Sequence, residues 1–387
     1  GLDAKGRIDW PATTGTVNLG SLAIDRLNLT GRIALHDAAS RSTLELDDIA
    51  FSGDVRSLAG SVRGDGNFTL SDIRYPFRIS SGQGPDGNGT RIHVNIDPGQ
   101  REFAADLDGI LNFDARAPRF EGAVTFGAPV QKGRNDELPW RIAAKVKADY
   151  SAARLEQVEV TYGPEERALK LAGSGDIRFG ATPLLRATLS ARQLDADKFI
   201  GRDNNSSEAV RAWPALRAVA AGIPHAPIPA QIELASEQVM LGGRPLQDIA
   251  AELHGDAQSW RAHRLEFRAP GTTKVLLSEG AMQSAAPDRF KAALNIESAD
   301  PDALMTWLQG RGDIGYRSQK PMRLRGDVTV APDGFAIGAM KAEIDGGTVE
   351  GQVAVSHRQA GSGSRISADL KAARLDLDAV TALVRSL

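Results

Sequence analysis

Residues 140–150 read WRIAAKVKADY, and this stretch decides the fold class because apolar and polar side chains alternate along it. Ile142 and Val146 belong to its apolar series, whereas Lys145 and Lys147 belong to its polar series. Successive side chains of a strand point to opposite faces of the sheet, so the stretch predicts a strand with one apolar face and one wet face. Sheets that are wet on one face are typically antiparallel.

The same alternation recurs at residues 168–179 and 290–297, and turn residues separate the alternating runs. The densest turn signals lie at residues 65–67, 86–89, 333–334 and 345–347. Helical spacing is confined to short pieces, the longest of them at about 207–221. These patterns predict a mainly β fold: an elongated, curved antiparallel sheet that forms an apolar groove, built from repetitive units with a few short helices.

Composition excludes several classes of function. Lys plus Arg number 46 against 49 Asp plus Glu, so the chain lacks the basic face that a nucleic-acid binder needs. Cysteine is absent, which excludes disulfides, thiolate zinc sites and a cysteine nucleophile. No run of about 18 apolar residues is long enough to span a bilayer. The sequence starts at Gly1 without the features of a targeting segment, so we expect an excised piece or a chain whose targeting segment has been removed.

An internal repeat organises the chain. LSARQLDAD at residues 189–197 recurs as LNIESADPD at 294–302 and as LKAARLDLD at 370–378. Each copy predicts a strand that ends at an Asp-x-Asp pair, followed by a short helix. The predicted helices cover residues 198–200, 303–308 and 379–384. Repeated antiparallel units that share one apolar face extend a sheet in one dimension rather than closing it.

One region resembles a known family. Residues 232–249 read IELASEQVMLGGRPLQDI, residues 269–273 read APGTT, and the LDLD at 375–378 completes the pattern. These motifs resemble the AsmA family of bacterial envelope proteins, most strongly over residues 229–387. The resemblance implies a periplasmic protein, anchored in the inner membrane, whose β-groove carries phospholipid towards the outer membrane. The N-terminal transmembrane helix that is usual in that family is missing from this sequence.

The repeat and the resemblance suggest three regions. Residues 1–200 form an N-terminal β-repeat region, residues 201–228 a short helix with a Pro-rich connector, and residues 229–387 an AsmA-like C-terminal β-repeat region.

The polar residues give no catalytic signature. Asp195 and Asp197 form the first Asp-x-Asp pair, which could ligate a metal or act as acid and base. We expect instead that Asp at this position caps the following helix. The six histidines are scattered, and only His254 and His263 lie in one region. No Gly-x-Ser-x-Gly elbow nominates a serine nucleophile. We therefore expect no enzyme activity, no catalytic residue, no cofactor and no metal.

The apolar strand positions are the candidate site. Either they form an ordinary core under another layer, or they line a groove that holds a ligand. Acyl chains suit such a groove, because each buried methylene contributes roughly 0.8 kcal/mol without directional partners. The candidate lining residues are Ile142, Val146, Leu169, Leu171, Ile177, Phe179, Leu185, Leu189, Phe290, Leu294, Ile296, Val353 and Val355.

These observations favour a non-catalytic protein that binds and transfers phospholipid acyl chains in the bacterial cell envelope and supports outer-membrane biogenesis. Its expected partners are acyl-chain lipid, the inner membrane through the missing anchor, and envelope proteins, but not nucleic acid. The alternative is an assembly scaffold for outer-membrane proteins, which recruits partner strands at its sheet edges and carries no lipid. A carbohydrate-active protein using Asp195 and Asp197 needs an aromatic platform, which 5% aromatic residues without clustering do not indicate.

Overall fold

The alternating stretches form strands. The computed structural model describes residues 24–37, 42–55, 61–70, 73–84, 89–96, 104–114, 117–128, 138–149, 151–179, 182–201, 212, 215–216, 223, 226, 228–256, 259–283, 289–309, 320–331, 334–344, 347–356 and 365–372. Within these ranges the mainly β, mostly antiparallel fold predicted from the sequence is confirmed.

Twenty strands are described. The first ten are β1 (Ile24–Asp37), β2 (Ser42–Val55), β3 (Val62–Leu70), β4 (Ile73–Gln83), β5 (Thr90–Ile96), β6 (Ala104–Asp114), β7 (Ala117–Ala128), β8 (Trp140–Ala148), β9 (Ala152–Tyr162) and β10 (Leu169–Arg178). The other ten are β11 (Leu184–Asp195), β12 (Ala230–Leu241), β13 (Arg244–Gly255), β14 (Trp260–Ala269), β15 (Thr273–Gln283), β16 (Arg289–Ser298), β17 (Met322–Ala331), β18 (Gly334–Ile344), β19 (Gly347–Ser356) and β20 (Arg365–Ala372). The described helices are α1 (Ala196–Phe199) and α2 (Pro301–Gln309), with a 3-10 turn at Glu165–Arg167.

The chain divides into two compact units. Unit 1 comprises residues 1–162 and 173–184, and unit 2 comprises residues 163–172 and 185–387. The connector predicted at 201–228 lies mostly outside the described residues, so that boundary stays a prediction.

Unit 1 is an antiparallel meander. Strands β1 to β9 pair in chain order, each with the strand before and after it. Bulges interrupt the register in β2 and β9, where Asp48 and Gln157 adopt left-handed backbone conformations. An extra residue on one strand bends it and increases the local twist, so the sheet of this unit is curved.

Unit 2 repeats this design. Strands β12 to β20 form an antiparallel meander in chain order. Nine strands at a spacing of roughly 4.8 Å extend about 40 Å across the strand direction. Bulges at Asp248, Glu279 and Ala339, each with positive φ, curve this sheet as well.

One strand pair departs from the predicted antiparallel pattern. Strand β11 pairs with β12 in parallel, with Leu189 beside Leu234. Two parallel strands need a long connection that returns the chain to the starting end, and residues 196–229 supply it. The first two copies of the repeat therefore differ in how their strand pairs with the next one. Strand β11, in the first copy, pairs in parallel with β12, whereas β16, in the second copy, pairs antiparallel with β17.

The turn signal at residues 65–67 is a wrong prediction. Asp65, Gly66 and Asn67 lie inside β3, where Gly66 pairs with Phe51 of β2 and with Phe77 of β4. A side chain at Gly66 would collide with the carbonyl oxygen of Ala50 and with the Phe77 ring. Glycine is needed here for close approach between strands rather than for chain reversal. Residues 345 and 346 of the turn predicted at 345–347 lie outside the described residues, and Gly347 is the first residue of β19.

Helix α2 covers one end of the unit 2 sheet. Leu304 and Trp307 of this helix form a buried cluster with Leu246, Ala269 and Val275. Gly271, in the turn between β14 and β15, packs against the start of the helix, where a side chain would collide with the carbonyl oxygen of Asp300. We call this end of the strands the helix end of unit 2.

Candidate functional site

The apolar positions of unit 2 line up across the strands. One row crosses seven strands through direct cross-strand partners: Leu189, Leu234, Ala251, Leu265, Leu277, Leu294 and Gly326. A second row, nearer the helix end, contains Phe267, Val275, Ile296, Leu324, Ala342, Val349 and Ala372. Direct partners point to the same side of a sheet, and no position in either row is charged. We call this surface the apolar face of unit 2.

Seven predicted lining residues lie on this face. Phe290 connects to Val355 through two intermediate partners, Val330 and Phe335. Val353 lies on the same side of β19 as Val355, and Leu185 lies on the same side of β11 as Leu189. The structure therefore brings together Leu185, Leu189, Phe290, Leu294, Ile296, Val353 and Val355.

Two more predicted residues lie in unit 1, on the side of β8 that we call the apolar face of unit 1. Ile142 and Val146 share one side of β8, where Ile142 pairs with Phe126 and Val146 pairs with Gly122. Val146 is buried, whereas Ile142 and Phe126 are 36% and 43% exposed.

The last four predicted residues belong to or follow β10. Leu169, Leu171 and Ile177 are half-buried and alternate with exposed residues, so they share one side of this strand. Phe179 follows the strand and is 43% exposed. Their placement on a common side of β10 follows the predicted period of two.

The apolar faces are only partly covered. On unit 2, Leu189, Val275, Ala292 and Val355 are buried, but Leu265, Leu277, Leu294 and Ile296 are half-buried, although each lies inside the sheet. Among the described residues, the helical cover of this face is the α2 cluster at the helix end. A row of half-buried Leu and Ile across several strands forms a contiguous apolar surface, which water solvates poorly.

The first Asp-x-Asp pair has structural roles. The Asp195 carboxylate accepts a hydrogen bond from the Lys198 backbone N–H at 2.8 Å, which confirms the predicted helix cap. Asp197 is buried and accepts from the backbone N–H groups of Gly242 and Gly243, both at 2.9 Å. It therefore holds the β12–β13 turn, a role that the sequence analysis did not predict.

The second Asp-x-Asp pair repeats the helix cap. Asp300 accepts a hydrogen bond from the Ala303 backbone N–H at 3.1 Å. The third pair, Asp376 and Asp378, lies outside the described residues. The helix predicted at 379–384 also lies outside them, as does the helix predicted at 207–221 apart from three positions.

Aromatic side chains cluster in unit 1, contrary to the prediction. Phe68 stacks on Tyr75 with ring centroids 5.6 Å apart, and Phe77 lies 6.0 Å from Phe68 and 6.4 Å from Phe51. Phe68 and Tyr75 are buried, and the Phe51 ring lies over Gly53 of its own strand and over Gly64 of β3. The rings thus cover strand backbone at glycines, as in designed sheets where an aromatic shields a glycine.

The polar faces carry ion pairs, most of them between neighbouring strands. In unit 2, Lys274 and Arg264 contact the Glu266 carboxylate and hold its pKa below the usual range. In unit 1, a hydrogen bond from His93 lowers the pKa of Asp106, and Arg91 does the same for Asp108. These carboxyl groups stay ionised at neutral pH, which suits pairing between strands rather than proton transfer.

Sequence reasoning missed two contacts that shape unit 2. Trp307 donates from its indole Nε1 to the Leu241 carbonyl oxygen, 66 positions earlier. The rings of His254 and His263 stack on the polar face with centroids 5.3 Å apart. The histidine stacking had a sequence signal, since His254 and His263 are close in sequence. The register between their strands, however, depends on a bulge.

Within the described ranges, no helix has both the length and the hydrophobicity to cross a membrane. In the same part of the chain, no three or more His, Asp or Glu side chains form a group that could hold a metal ion. Comparisons with family models, with curated proteins and with solved structures gave no match to this chain. The resemblance to the AsmA family therefore rests on the residues quoted in the sequence analysis alone.

Proposed function

We propose that this chain is a non-catalytic lipid-binding protein of the AsmA type, and that its apolar sheet faces form a groove that holds phospholipid acyl chains. The observation that carries the proposal is the row of uncharged positions that runs across seven strands of unit 2 through Leu277 and Leu294, all of them half-buried except the buried Leu189. On this proposal the protein acts in the bacterial periplasm, is anchored in the inner membrane, and transfers lipid in support of outer-membrane biogenesis.

Energetics support an acyl chain as the ligand. Transfer of a methylene fully out of water contributes roughly 0.8 kcal/mol of favourable free energy, and a methylene that contacts an open sheet face contributes a fraction of that. Neither partner needs a directional contact, which suits a face whose rows contain Leu, Ile, Val, Phe, Ala and Gly but no polar anchor. The ligand would in turn cover side chains such as Leu265, which is half-buried.

The absence of catalysis is part of the proposal. Asp195 and Asp197 are occupied by backbone N–H groups, which argues against their use as an acid–base pair in the carbohydrate-active alternative. Such a pair needs both carboxyl groups to face a shared substrate.

The test is lipid retention by matched variants. We expect gently purified protein to carry phospholipid that native mass spectrometry and lipid extraction detect. Leu294→Asp places a charge on the apolar face and should lower the bound lipid at least several-fold. Ala293→Asp is the control, because Ala293 is exposed on the other side of the same strand. Circular dichroism should show that both variants remain folded.

Two outcomes would contradict the proposal. Wild-type protein that carries no lipid, and binds none from phospholipid vesicles, would favour the assembly scaffold. Equal lipid retention by Leu294→Asp and Ala293→Asp would place any bound lipid away from the apolar face of unit 2.

A further inference from the structure

The polar face of unit 2 contains a row of four titratable side chains across three strands. His254 Nε2 lies 3.1 Å from Glu252 Oε1 within β13, and His263 Nδ1 of β14 lies 3.0 Å from Glu279 Oε1 of β15. The two imidazole rings stack at 5.3 Å between centroids with 7° between their planes. The row therefore consists of two carboxylate–imidazole pairs that lie side by side.

Bulges place two members of this row. His263 is the extra residue between the partners of Glu252 and Leu253, so the bulge adds its side chain to the polar face. Glu279 lies in the β15 bulge and has a φ of 53°, a left-handed conformation that is rare for a residue with a side chain. Bulges of this kind re-aim side chains and are common beside functional sites.

Each carboxylate determines which ring nitrogen is available. An ionised carboxylate only accepts, so a neutral His254 donates from Nε2 and carries its lone pair on Nδ1. By the same argument, His263 donates from Nδ1 and carries its lone pair on Nε2. A carboxylate that fixes the tautomer and ring orientation of a histidine is the usual outer partner of a histidine metal ligand.

We propose that His254 and His263 bind one divalent transition-metal ion, such as Zn²⁺, Ni²⁺ or Cu²⁺, through His254 Nδ1 and His263 Nε2. Glu252 and Glu279 orient the rings, and water completes the coordination. Imidazole ligands select these metals over Mg²⁺ and Ca²⁺. This site uses two protein ligands, so it differs from a preformed group of three or more, which the described residues do not contain.

Formation of the site requires the two rings to rotate. Two nitrogens bound tetrahedrally to Zn²⁺ at roughly 2.0–2.1 Å lie about 3.3 Å apart, so the stacked rings must turn towards each other. The side chains of His254 and His263 are 41% and 48% exposed, so both rings border solvent. Two arginines of β14 lie beside the site, since Arg261 is the register partner of His254 and Arg264 is that of Glu252. Arg264 contacts Glu266, so Arg261 is the remaining cation. The negative charges of Glu252 and Glu279 offset its positive charge.

The experiment is calorimetric titration of the full chain with ZnCl₂. We expect one saturable site in wild type, and at least tenfold weaker binding in His254→Asn and in His263→Asn. His93→Asn is the matched control, because His93 also pairs with a carboxylate, Asp106, but stacks on no other imidazole among the described residues. Glu279→Gln should weaken binding by about tenfold or more while both ligands remain.

A second measurement identifies the atoms. Nitrogen NMR of the histidines should show zinc-induced shifts at His254 Nδ1 and His263 Nε2, with none at His93. The proposal is overturned if wild type shows no saturable zinc binding, if His93→Asn weakens it as much as His254→Asn does, or if MgCl₂ competes equally. The site lies on the opposite side of the sheet from the apolar rows, so these results do not depend on the lipid proposal.

Discussion

Trp307 Nε1 donates a hydrogen bond of 2.8 Å to the carbonyl oxygen of Leu241, and this contact joins helix α2 to the last residue of β12. The indole is 6% exposed and packs in the cluster with Leu246 and Val275. The bond therefore fixes where the helix covers the apolar face.

Trp307→Phe should destabilise unit 2 by about 1–3 kcal/mol, because it leaves the Leu241 carbonyl oxygen without its partner and reduces the buried ring. Hydrogen exchange of the β12–β13 amides should accelerate accordingly. Arg192→Ala is the control, since the Arg192–Glu237 pair is almost fully exposed and contributes little. Unchanged exchange in Trp307→Phe would show that the helix is held by other contacts.

Asp195→Asn and Asp197→Asn should differ although the two positions are two residues apart. Asn caps a helix about as well as Asp, so Asp195→Asn should be nearly neutral. In Asp197→Asn the side-chain amide nitrogen would face a backbone N–H of the Gly242–Gly243 turn. We expect the free energy of unfolding, measured in urea, to fall by about 1–3 kcal/mol. Equal effects would contradict the turn-holding role of Asp197.

Glycine substitution should separate close strand contacts from open ones in unit 1. A side chain at Gly122 would collide with the Asp108 carbonyl oxygen and lie 2.5 Å from the Gly109 Cα, so Gly122→Ala should destabilise β6 and β7 by about 1–3 kcal/mol. Gly82→Ala meets nothing within 4 Å and should be neutral or slightly stabilising. Local hydrogen exchange measures both, and similar protection in the two variants would refute the assignment.

Acid should weaken the ion pairs around Glu266. Its folded pKa is lowered first by Lys274 and then by Arg264, so its contribution is complete above the usual glutamate pKa of about 4.3 and is lost as pH falls towards the folded value. Carboxyl NMR titration should show Glu266 titrating below that value. Lys274→Gln should raise its pKa, and high salt should reduce the shift because the group is near the surface. Titration at the ordinary value in wild type would contradict the pairing.

The strands could be predicted from sequence because period-two alternation depends only on local order, as the match of residues 140–148 to β8 shows. The helix predicted at 303–308 is confirmed within α2, and the one predicted at 198–200 overlaps α1 at 196–199. Strand partners were harder, because Gln157, Asp248 and Glu279 shift register without the glycine that usually marks a left-handed residue.

The parallel pairing of β11 with β12 also lacked a sequence signal. Residues 196–229, which separate the two strands in the sequence, mostly carry no alternation. The shared face of the seven candidate residues on unit 2 was predictable because they follow that alternation. The histidine row was not, since its geometry depends on two bulges.

Pairing in chain order has an evolutionary consequence. Removing or duplicating two successive strands of β12 to β20 would leave every remaining strand with an antiparallel neighbour. The same side of the sheet would remain apolar. A gene encoding such a meander can therefore change the reach of the protein in hairpin-sized steps without redesigning the rest.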